Sequence, residues 1–341
     1  MKVLSRNNLA RIINYLKVNS IIDFGRGAFI KDLRVLAYHR ICDPEQWHDN
    51  DISLVSASNE EFDWQVQYVK KHYDLISFED LNDILNNKVD KPKRPVIITF
   101  DDGFSDNYFN AYPVLKEHSA KATFFVSADY IGTDKQYWFN KIYRSFINPQ
   151  NTKVSIKNLN INIDFSNAES TRRRQIYTVI EALKKCPNHE RLEYIEYIAQ
   201  KYPERELDDR LSVPMTWDQL REMNGHNMEI GSHTTTHPVL SKLSDVDLKD
   251  EIHGSKKIIE EELNTTVSTI AYPVGMSFAY NDAVVSEVKA ANYTFGASYI
   301  AGTNYLSELK PYDLRRIHVE RYTTRSMFKA MLSFPEIFSV Y

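Results

Sequence analysis

From residue 95 onward, short apolar segments rich in β-branched and aromatic residues alternate with segments of helical length. Parallel strands are buried on both faces, so they form continuous apolar runs, and successive strands need a long crossover that is usually a helix. The alternation predicts an α/β fold, either a βα barrel or an open sheet, with chemistry at the carboxyl ends of the strands. Ser77 and Asp80 form a capping pattern at the start of one helix. The predicted strands are 34–41, 95–100, 121–128, 228–233, 268–275 and 294–299, and the predicted helices are 77–87, 106–118, 245–263 and 281–291.

The segment from 134 to 213 interrupts this alternation. It contains the run Arg172-Arg173-Arg174, a helical stretch at 175–185 and a charged region at 203–210. We interpret it as a largely helical insertion that forms a lid or one wall of a cleft, and the arginine run as a solvated helix face. The predicted organisation is therefore an N-terminal helical segment (1–30), a first barrel part (31–133), the insertion (134–213) and a second barrel part (214–341).

Composition restricts the class of protein and its partners. A hydrophobic fraction of 43% and a charged fraction of 26% over 341 residues are typical of a globular protein. A net charge of -4 gives no sign of the broad basic surface that phosphate binding requires, so no nucleic-acid partner is predicted. With only Cys42 and Cys186 present, a metal ion would have to be held by histidine and carboxylate.

The first 24 residues lack the apolar core of a signal peptide, and no segment approaches the roughly 20 apolar residues of a membrane span. The sequence therefore predicts a cytoplasmic protein without a transmembrane segment. Apolar residues recur near the N-terminus at helical spacing, which indicates a helix packed on its own domain or, as the alternative, a helix in peripheral contact with a membrane. These residues are Leu9, Ile12, Ile13, Leu16 and Ile21.

Two adjacent carboxylates, Asp101 and Asp102, directly follow the apolar segment 95–100, and Gly103 comes after them. Glycine allows a sharp backbone turn at this point. Because neighbouring side chains of an extended chain point in opposite directions, one carboxylate can ligate a metal while the other faces a substrate. Paired acids in turns are also common as plain surface or capping residues, so this motif needs support from other parts of the chain.

A pair of histidines supplies that support. His233 and His237 are four residues apart, which places both imidazoles on one face if the segment forms a helical turn. Two imidazoles and one carboxylate form a three-ligand metal site that leaves a position open for water; the alternative is two polar loop histidines.

The spacing of the two histidines is also found in helical metalloproteases, but those enzymes need Glu directly after the first histidine as the general base. That position is Thr234 here, so the base must come from elsewhere, and Asp101 is the natural candidate.

His39 stands near the end of the first predicted strand. A single histidine at a strand end usually has a structural role. However, a hydrolase that expels an amine needs a proton donor near neutral pH, and histidine is suited to that task.

Together these blocks resemble the polysaccharide deacetylases with the NodB-homology domain, the fourth carbohydrate esterase family, over residues 34–130 and 214–319. TFDDG (99–103) is similar to the first motif of that family, and HTTTHPVLS (233–241) is similar to the second. The resemblance implies a distorted (β/α) barrel. It also implies that Asp101 is the general base, and that a divalent metal, often zinc, is bound by the second Asp and the two His, which here are Asp102, His233 and His237.

The third motif departs from the family pattern R-x-P-Y-G. Ala271 stands at the arginine position and Val274 at the tyrosine position of AYPVG (271–275). The side chain that would orient the base is thus missing, but the backbone N–H of Val274 can still serve the oxyanion, because a backbone donor does not depend on the side chain.

The AYPVG motif, the N-terminal YHR and the later DLRRI (313–317) resemble a permuted branch that includes exopolysaccharide deacetylases of biofilm systems. This resemblance implies that His39 is the catalytic acid and that Arg316 is the partner of the base. His318 lies near the usual late position of the acid and remains the alternative.

The expected function is metal-dependent hydrolysis of the N-acetyl group of an amino sugar in a polysaccharide, oligosaccharide or glycoconjugate precursor, with Zn²⁺ as the expected metal. Two alternatives stay open: an N-deformylase acting on a lipid-linked or nucleotide-linked amino sugar, and a non-catalytic carbohydrate-binding barrel.

Overall fold

The computed structural model describes residues 5–29, 32–43, 51–148, 150, 152–156, 159–164, 169–204 and 212–339. In this part of the chain the strands are β1 (Asp32–Tyr38), β2 (Arg40–Ile41), β3 (Val55–Ala57), β4 (Asp74–Leu75), β5 (Pro95–Phe100), β6 (Ala122–Val126), β7 (Lys153–Ile156), β8 (Ile161–Asp164), β9 (Met228–Ser232), β10 (Thr269–Ala271), β11 (Phe295–Ala301), β12 (Asn304–Tyr305) and β13 (Leu314–His318). The α-helices are α1 (Arg6–Tyr15), α2 (Val18–Phe29), α3 (Asn59–His72), α4 (Phe78–Leu85), α5 (Tyr112–Glu117), α6 (Trp138–Ile147), α7 (Glu169–Lys185), α8 (Asn188–Lys201), α9 (Trp217–Asn224), α10 (Asp245–Leu263), α11 (Asp282–Ala290), α12 (Arg325–Ser333) and α13 (Pro335–Phe338).

Seven parallel strands close into a barrel. In order around the ring they are β1, β5, β6, β9, β10, β11 and β13, and the ring closes because β1 pairs with both β5 and β13. The short strand β4 pairs with β5, and β12 pairs with β1 in the antiparallel direction. The predicted α/β fold is thus confirmed as a (β/α) barrel. Because the strands are parallel, all their carboxyl ends lie at the same end of the barrel.

Alternate strand residues pack into two separate cores. Val96, Ile98 and Phe100 of β5 belong to the large core that includes residues of the surrounding helices. Ile97 belongs to a second core, made mainly of strand residues together with Phe78 and neighbours on α4. We infer that this second core fills the barrel interior.

Several predicted elements are confirmed with small shifts in their bounds. The strand 95–100 and the helix 245–263 appear with the predicted ends. Ser77 caps α4 in a full capping box, since its side chain accepts from the Asp80 N–H and Asp80 accepts from the Ser77 N–H. The first predicted strand is broken at His39, and the predicted strand 268–275 ends at Ala271.

The region between β6 and β9 contains three helices, α6, α7 and α8, and an antiparallel hairpin formed by β7 and β8. It has a hydrophobic core of its own, which runs from Trp138 to Tyr202. The hairpin was not predicted. Within the predicted charged region 203–210, residues from 205 lie outside the described residues.

The prediction that the arginine run is a solvated helix face is wrong for Arg172. This side chain is buried, and its guanidinium donates to the backbone carbonyls of Phe146 and Asn148. These carbonyls belong to the last turn of α6 and the residue after it, where the helix leaves carbonyls without partners inside the helix. Arg174 is exposed, as predicted.

The N-terminal segment forms two helices, α1 and α2, which both pack against α12. Among the described residues, no helix has the length and apolar character needed to cross a membrane.

Candidate metal centre and active-site cleft

The turn after β5 places two carboxylates next to each other in a buried position. Asp102 and Gly103 both have a φ of +73°, and Asp is one of the few residue types that adopts this left-handed conformation readily. At Gly103 an added Cβ would lie 2.9 Å from Cγ1 of Val126, so a side chain does not fit there. The Asp101 N–H still donates to the Tyr38 carbonyl, which continues the pairing of β5 with β1. The chain therefore turns sharply at Asp102, as the sequence predicted.

Arg316 of β13 forms a bidentate ion pair with Asp101. Its two terminal nitrogens lie 2.7 and 2.8 Å from Oδ1 and Oδ2 of Asp101, and its Nε donates to the Ser298 carbonyl. Both side chains of the pair are buried. Burial by itself would raise the pKa of Asp101, but the charge of Arg316, helped by His233 and His39, outweighs burial and lowers this pKa. Asp101 is therefore held ionised and in a fixed orientation.

Asp102, His233 and His237 form a compact group of ligand atoms. Oδ1 of Asp102 lies 3.5 Å from Nε2 of His233 and 3.3 Å from Nε2 of His237, and the three potential ligand atoms lie within 4.8 Å of one another. The Asp102 pKa is lowered because the neighbouring histidines outweigh the opposing effect of burial. One carboxylate oxygen and two imidazole nitrogens are a donor set that fits a divalent metal ion.

A hydrogen bond assigns the tautomer of His233. Its Nδ1 lies 2.8 Å from the carbonyl oxygen of Ala271, and a carbonyl can only accept, so Nδ1 carries the proton. Nε2 then has a free lone pair on the side of Asp102. Burial lowers the pKa of His233 to about 4, so the ring is neutral near pH 7. Both properties suit a metal ligand whose second nitrogen is fixed by a backbone carbonyl.

The segment between the two histidines does not form the helical turn that would place both imidazoles on one face of a helix. Thr234 and His237 have φ values of +67° and +57°, which belong to left-handed backbone and not to an α-helix. The His237 N–H donates to Oγ1 of Thr234, and the His233 N–H donates to the carbonyl of Val126. The imidazoles meet because the loop reverses its direction, and not because four residues complete a helical turn.

Tyr137, at the start of the insertion, contacts two members of this group. Its hydroxyl donates to the backbone carbonyl of Asp102. Its ring packs edge-on against His237, with 5.3 Å between ring centroids, and stacks on Tyr130 at 4.1 Å. Sequence reasoning missed this residue, although the aromatic run that Tyr137 begins, immediately before Trp138, was an available signal.

His39 lies in the break between β1 and β2, beside Asp101. Its Nε2 is 4.0 Å from Oδ2 of Asp101, and the side chain is partly exposed. The His39 N–H donates to Oγ of Ser56, and the His39 carbonyl accepts from the side chain of Asn107. The segment that follows the two carboxylates thus helps to position the histidine.

His318 occupies a different environment from His39. Its ring stacks on Tyr299 at 3.6 Å between centroids, and it is buried and absent from the lining of the cleft. Burial, reinforced by the charge of Arg316, lowers its pKa to about 3. His39, by contrast, lines the cleft.

Val274 lines the cleft with a φ of +64°, which is uncommon for a β-branched residue. Backbone strain of this kind is concentrated at functional sites. Within the described residues, the Val274 N–H has no hydrogen-bond acceptor. The next residue, Gly275, must be glycine, because an added Cβ would lie 2.4 Å from the Tyr299 nitrogen.

A cavity of about 570 Å³ lies at the carboxyl end of the barrel, and its lining includes His39, Asp101, Asp102, His233, His237 and Val274. This volume lies within the usual range for small-molecule sites. Tyr177 on α7 donates a hydrogen bond to Asp51, which also lines the cavity and lies outside the insertion. The insertion therefore forms one wall of the cleft, through Trp138, Phe139, Tyr177, Ile180, Glu181 and Lys184.

Comparison with known proteins identifies a family and several relatives. Residues 88–296, more than half of the chain, match the family model described as polysaccharide deacetylase. The Bacillus subtilis (strain 168) protein YxkH is 21% identical over 301 residues, which cover 88% of this chain and 76% of that protein. A poly-β-1,6-N-acetyl-D-glucosamine N-deacetylase of Staphylococcus epidermidis is 37% identical over 109 residues, which are 29% of this chain and 37% of that enzyme.

A solved structure shows the same fold. The Streptococcus pyogenes deacetylase PplD, in complex with acetate, matches with a TM-score of 0.56 and 22% identity, over 86% of this chain and 94% of that one. The agreement extends over most of both chains.

Proposed function

This chain belongs to the polysaccharide deacetylase family, and on that premise we propose that it hydrolyses the N-acetyl group of an amino sugar with the help of a divalent metal, Zn²⁺. Asp102, His233 and His237 are the proposed ligands. The observation that carries the proposal is the buried group of these three side chains, with the ionised Asp101 beside it at the base of the cleft. A carbohydrate-binding barrel would have no need of this additional carboxylate.

When bound, the metal supplies a Lewis acid that makes water more acidic and polarises the substrate carbonyl. The carboxylate of Asp101 accepts a proton from the attacking water, and Arg316 keeps this carboxylate ionised and oriented. The Val274 N–H donates to the developing oxyanion. His39 gives a proton to the sugar nitrogen as the C–N bond breaks, so that acetate and a free amine leave.

The proposed substrate is a glycan or glycoconjugate that carries N-acetylated amino sugars. The Staphylococcus epidermidis relative, named for such a polymer, supports this choice, as do the aromatic side chains that line the cleft, among them Trp138 and Phe139. The physiological polymer and the cytoplasmic location stay predictions.

The proposal is tested by measuring acetate and formate release from N-acylated amino sugars in free, polymeric and carrier-linked form. We expect acetate release that depends on added Zn²⁺. Formate release alone would assign the chain to the N-deformylases, and sugar binding without release of either acid would favour a binding barrel.

We predict that a His39→Gln variant loses about 10²- to 10⁴-fold in kcat on an N-acetylated sugar, because the amine then leaves without its proton donor. On 4-nitrophenyl acetate, whose leaving group departs without protonation, the same variant should keep most of its activity. Steady-state kinetics on both substrates measure this difference. His318→Gln is the matched variant, and a larger loss in it than in His39→Gln, confined to the amide, would reverse the assignment.

We predict that Tyr137→Phe weakens Zn²⁺ binding by about 10- to 100-fold, because the hydroxyl no longer fixes the Asp102 carbonyl while the ring still packs on His237. Competition with a fluorescent chelator measures the affinity. Tyr130→Phe, which alters the stacked neighbouring ring, is the control and should bind zinc as the wild type does. Equal affinities in all three proteins would show that Tyr137 does not position the ligands.

A further inference from the structure

Helix α2 buries polar side chains and exposes large apolar ones, which is the reverse of the usual arrangement. Asn19, Asp23 and Arg26, at helical spacing, are buried against the barrel. Ile21 and Phe24 on the other side are 70% and 77% exposed. A helix that packs on a globular domain normally buries its apolar side, so this reversal leaves an apolar surface without cover among the described residues.

Buried ion pairs and hydrogen bonds hold α2 in this orientation. Arg26 lies 2.6 Å from Oδ2 of Asp32 and 2.7 Å from Oε1 of Glu336. The hydroxyl of Tyr73 donates to Asp23. A rotation of α2 that buried Ile21 and Phe24 would break these contacts, and the buried carboxylate of Asp32 would keep only Arg34 as its ion-pair partner, which is unfavourable. The outward apolar side is thus fixed by the fold.

Helix α1 and the residue after it add further exposed apolar side chains. Ile12, Tyr15 and Leu16 are exposed, and two residues join α1 to α2. We call this surface the N-terminal apolar face, and it consists of Ile12, Tyr15, Leu16, Ile21 and Phe24. A group of large exposed apolar side chains on two successive helices marks a site of contact with a membrane or with another protein.

The charges beside this face indicate which contact it makes. Arg11 and Lys17 are exposed next to it. The only acidic residue between positions 5 and 29 is Asp23, which is buried. Apolar side chains flanked by cations are the combination that binds an anionic lipid surface. We propose that α1 and α2 dock on an anionic membrane surface, with the N-terminal apolar face inserted between the lipid headgroups.

This orientation directs the cleft away from the lipid. Helix α2 leads to Asp32, at the amino end of β1, and Gly27 packs on Arg94 just before β5. Helix α2 therefore lies near the amino ends of the strands, while the candidate metal centre lies at their carboxyl ends. A docked protein would take its substrate from the aqueous side. The docking proposal does not depend on the proposed function, because neither helix supplies a cleft residue.

Sedimentation with lipid vesicles tests the proposal. The full chain is mixed with vesicles of phosphatidylglycerol and phosphatidylcholine, or of phosphatidylcholine alone. We expect binding to the anionic vesicles that falls at least about 10-fold in an Ile21→Ser/Phe24→Ser double variant. Arg11→Glu/Lys17→Glu should lose the preference for anionic lipid. Val246→Ser, which removes an equally exposed apolar side chain from α10, is the matched control and should bind normally.

Thermal unfolding and Zn²⁺ binding are measured for each variant to check that its barrel is intact. Absence of wild-type binding to anionic vesicles would overturn the proposal, as would equal binding by the Ile21→Ser/Phe24→Ser protein. Light scattering compares the oligomeric states of the wild type and this double variant. A dimeric wild type and a monomeric double variant would assign the N-terminal apolar face to contact with a second copy of the chain, and this result would also overturn lipid docking.

Discussion

Replacing Asp101 with Asn is expected to lower kcat for deacetylation by about 10²- to 10⁴-fold while Zn²⁺ stays bound. The amide cannot accept the proton of the attacking water, but it is close in shape to the carboxylate and leaves Asp102, His233 and His237 in place. Rates are measured on an N-acetylated oligosaccharide and divided by the amount of bound metal.

The Asp101→Asn substitution also removes the negative partner of a buried guanidinium. We therefore expect the free energy of unfolding to fall by about 3–5 kcal/mol, which denaturant titration measures. Asp129→Asn, an exposed aspartate after the neighbouring strand β6, is the matched control and should change neither quantity. An Asp101→Asn protein that is folded, loaded with metal and fully active would exclude Asp101 as the base.

Features set by local sequence were predicted correctly. Strand β5 is apolar except for Thr99, and α10 begins after a capping serine at Ser244, and both have the predicted ends. The capping box of Ser77 and Asp80 involves only four consecutive residues. The alternation of strands and helices predicted an α/β fold but left a barrel and an open sheet as alternatives, and the resemblance to the deacetylase family implied the barrel. Closure by seven strands depends on pairings between distant segments, such as β1 with β13.

The sequence predicted which residues belong to the candidate site, but not the backbone geometry that brings them together. Residue types and positions identified Asp102, His233 and His237, but not the left-handed loop that brings the imidazoles together. That loop depends on hydrogen bonds to other segments, such as those from the Thr235 and Thr236 amides to Glu251. Pattern reasoning about periodic elements does not include contacts of this kind.

The orientation of the N-terminal helices was also not predicted from the sequence pattern. Helical spacing predicted the helix but not which side of it would face the barrel. The buried side of α2 is decided by Asp32 and Glu336, which lie outside the helix, and Glu336 is 310 residues away from Arg26 in the chain. The exposed position of Phe24 is therefore a property of the fold.

The largest effect is expected for Asp102→Ala, which should abolish Zn²⁺ binding and turnover together, because two neutral imidazoles alone bind a divalent ion weakly. Metal analysis after dialysis, with activity measured before and after Zn²⁺ is added back, checks both results. Asp102 has a φ of +73°, where alanine costs about 1–2 kcal/mol, so some loss of stability is expected from the backbone alone.

Asp102→Asn separates the backbone effect from the loss of the ligand charge. Asparagine tolerates left-handed backbone, so this variant should unfold at a higher temperature than Asp102→Ala in the absence of metal. Its neutral amide oxygen is a poorer metal ligand than a carboxylate, so Zn²⁺ affinity should still fall well below that of the wild type. Stoichiometric Zn²⁺ with wild-type affinity in Asp102→Ala would show that this carboxylate is not a ligand, and the proposed metal centre would have to be abandoned.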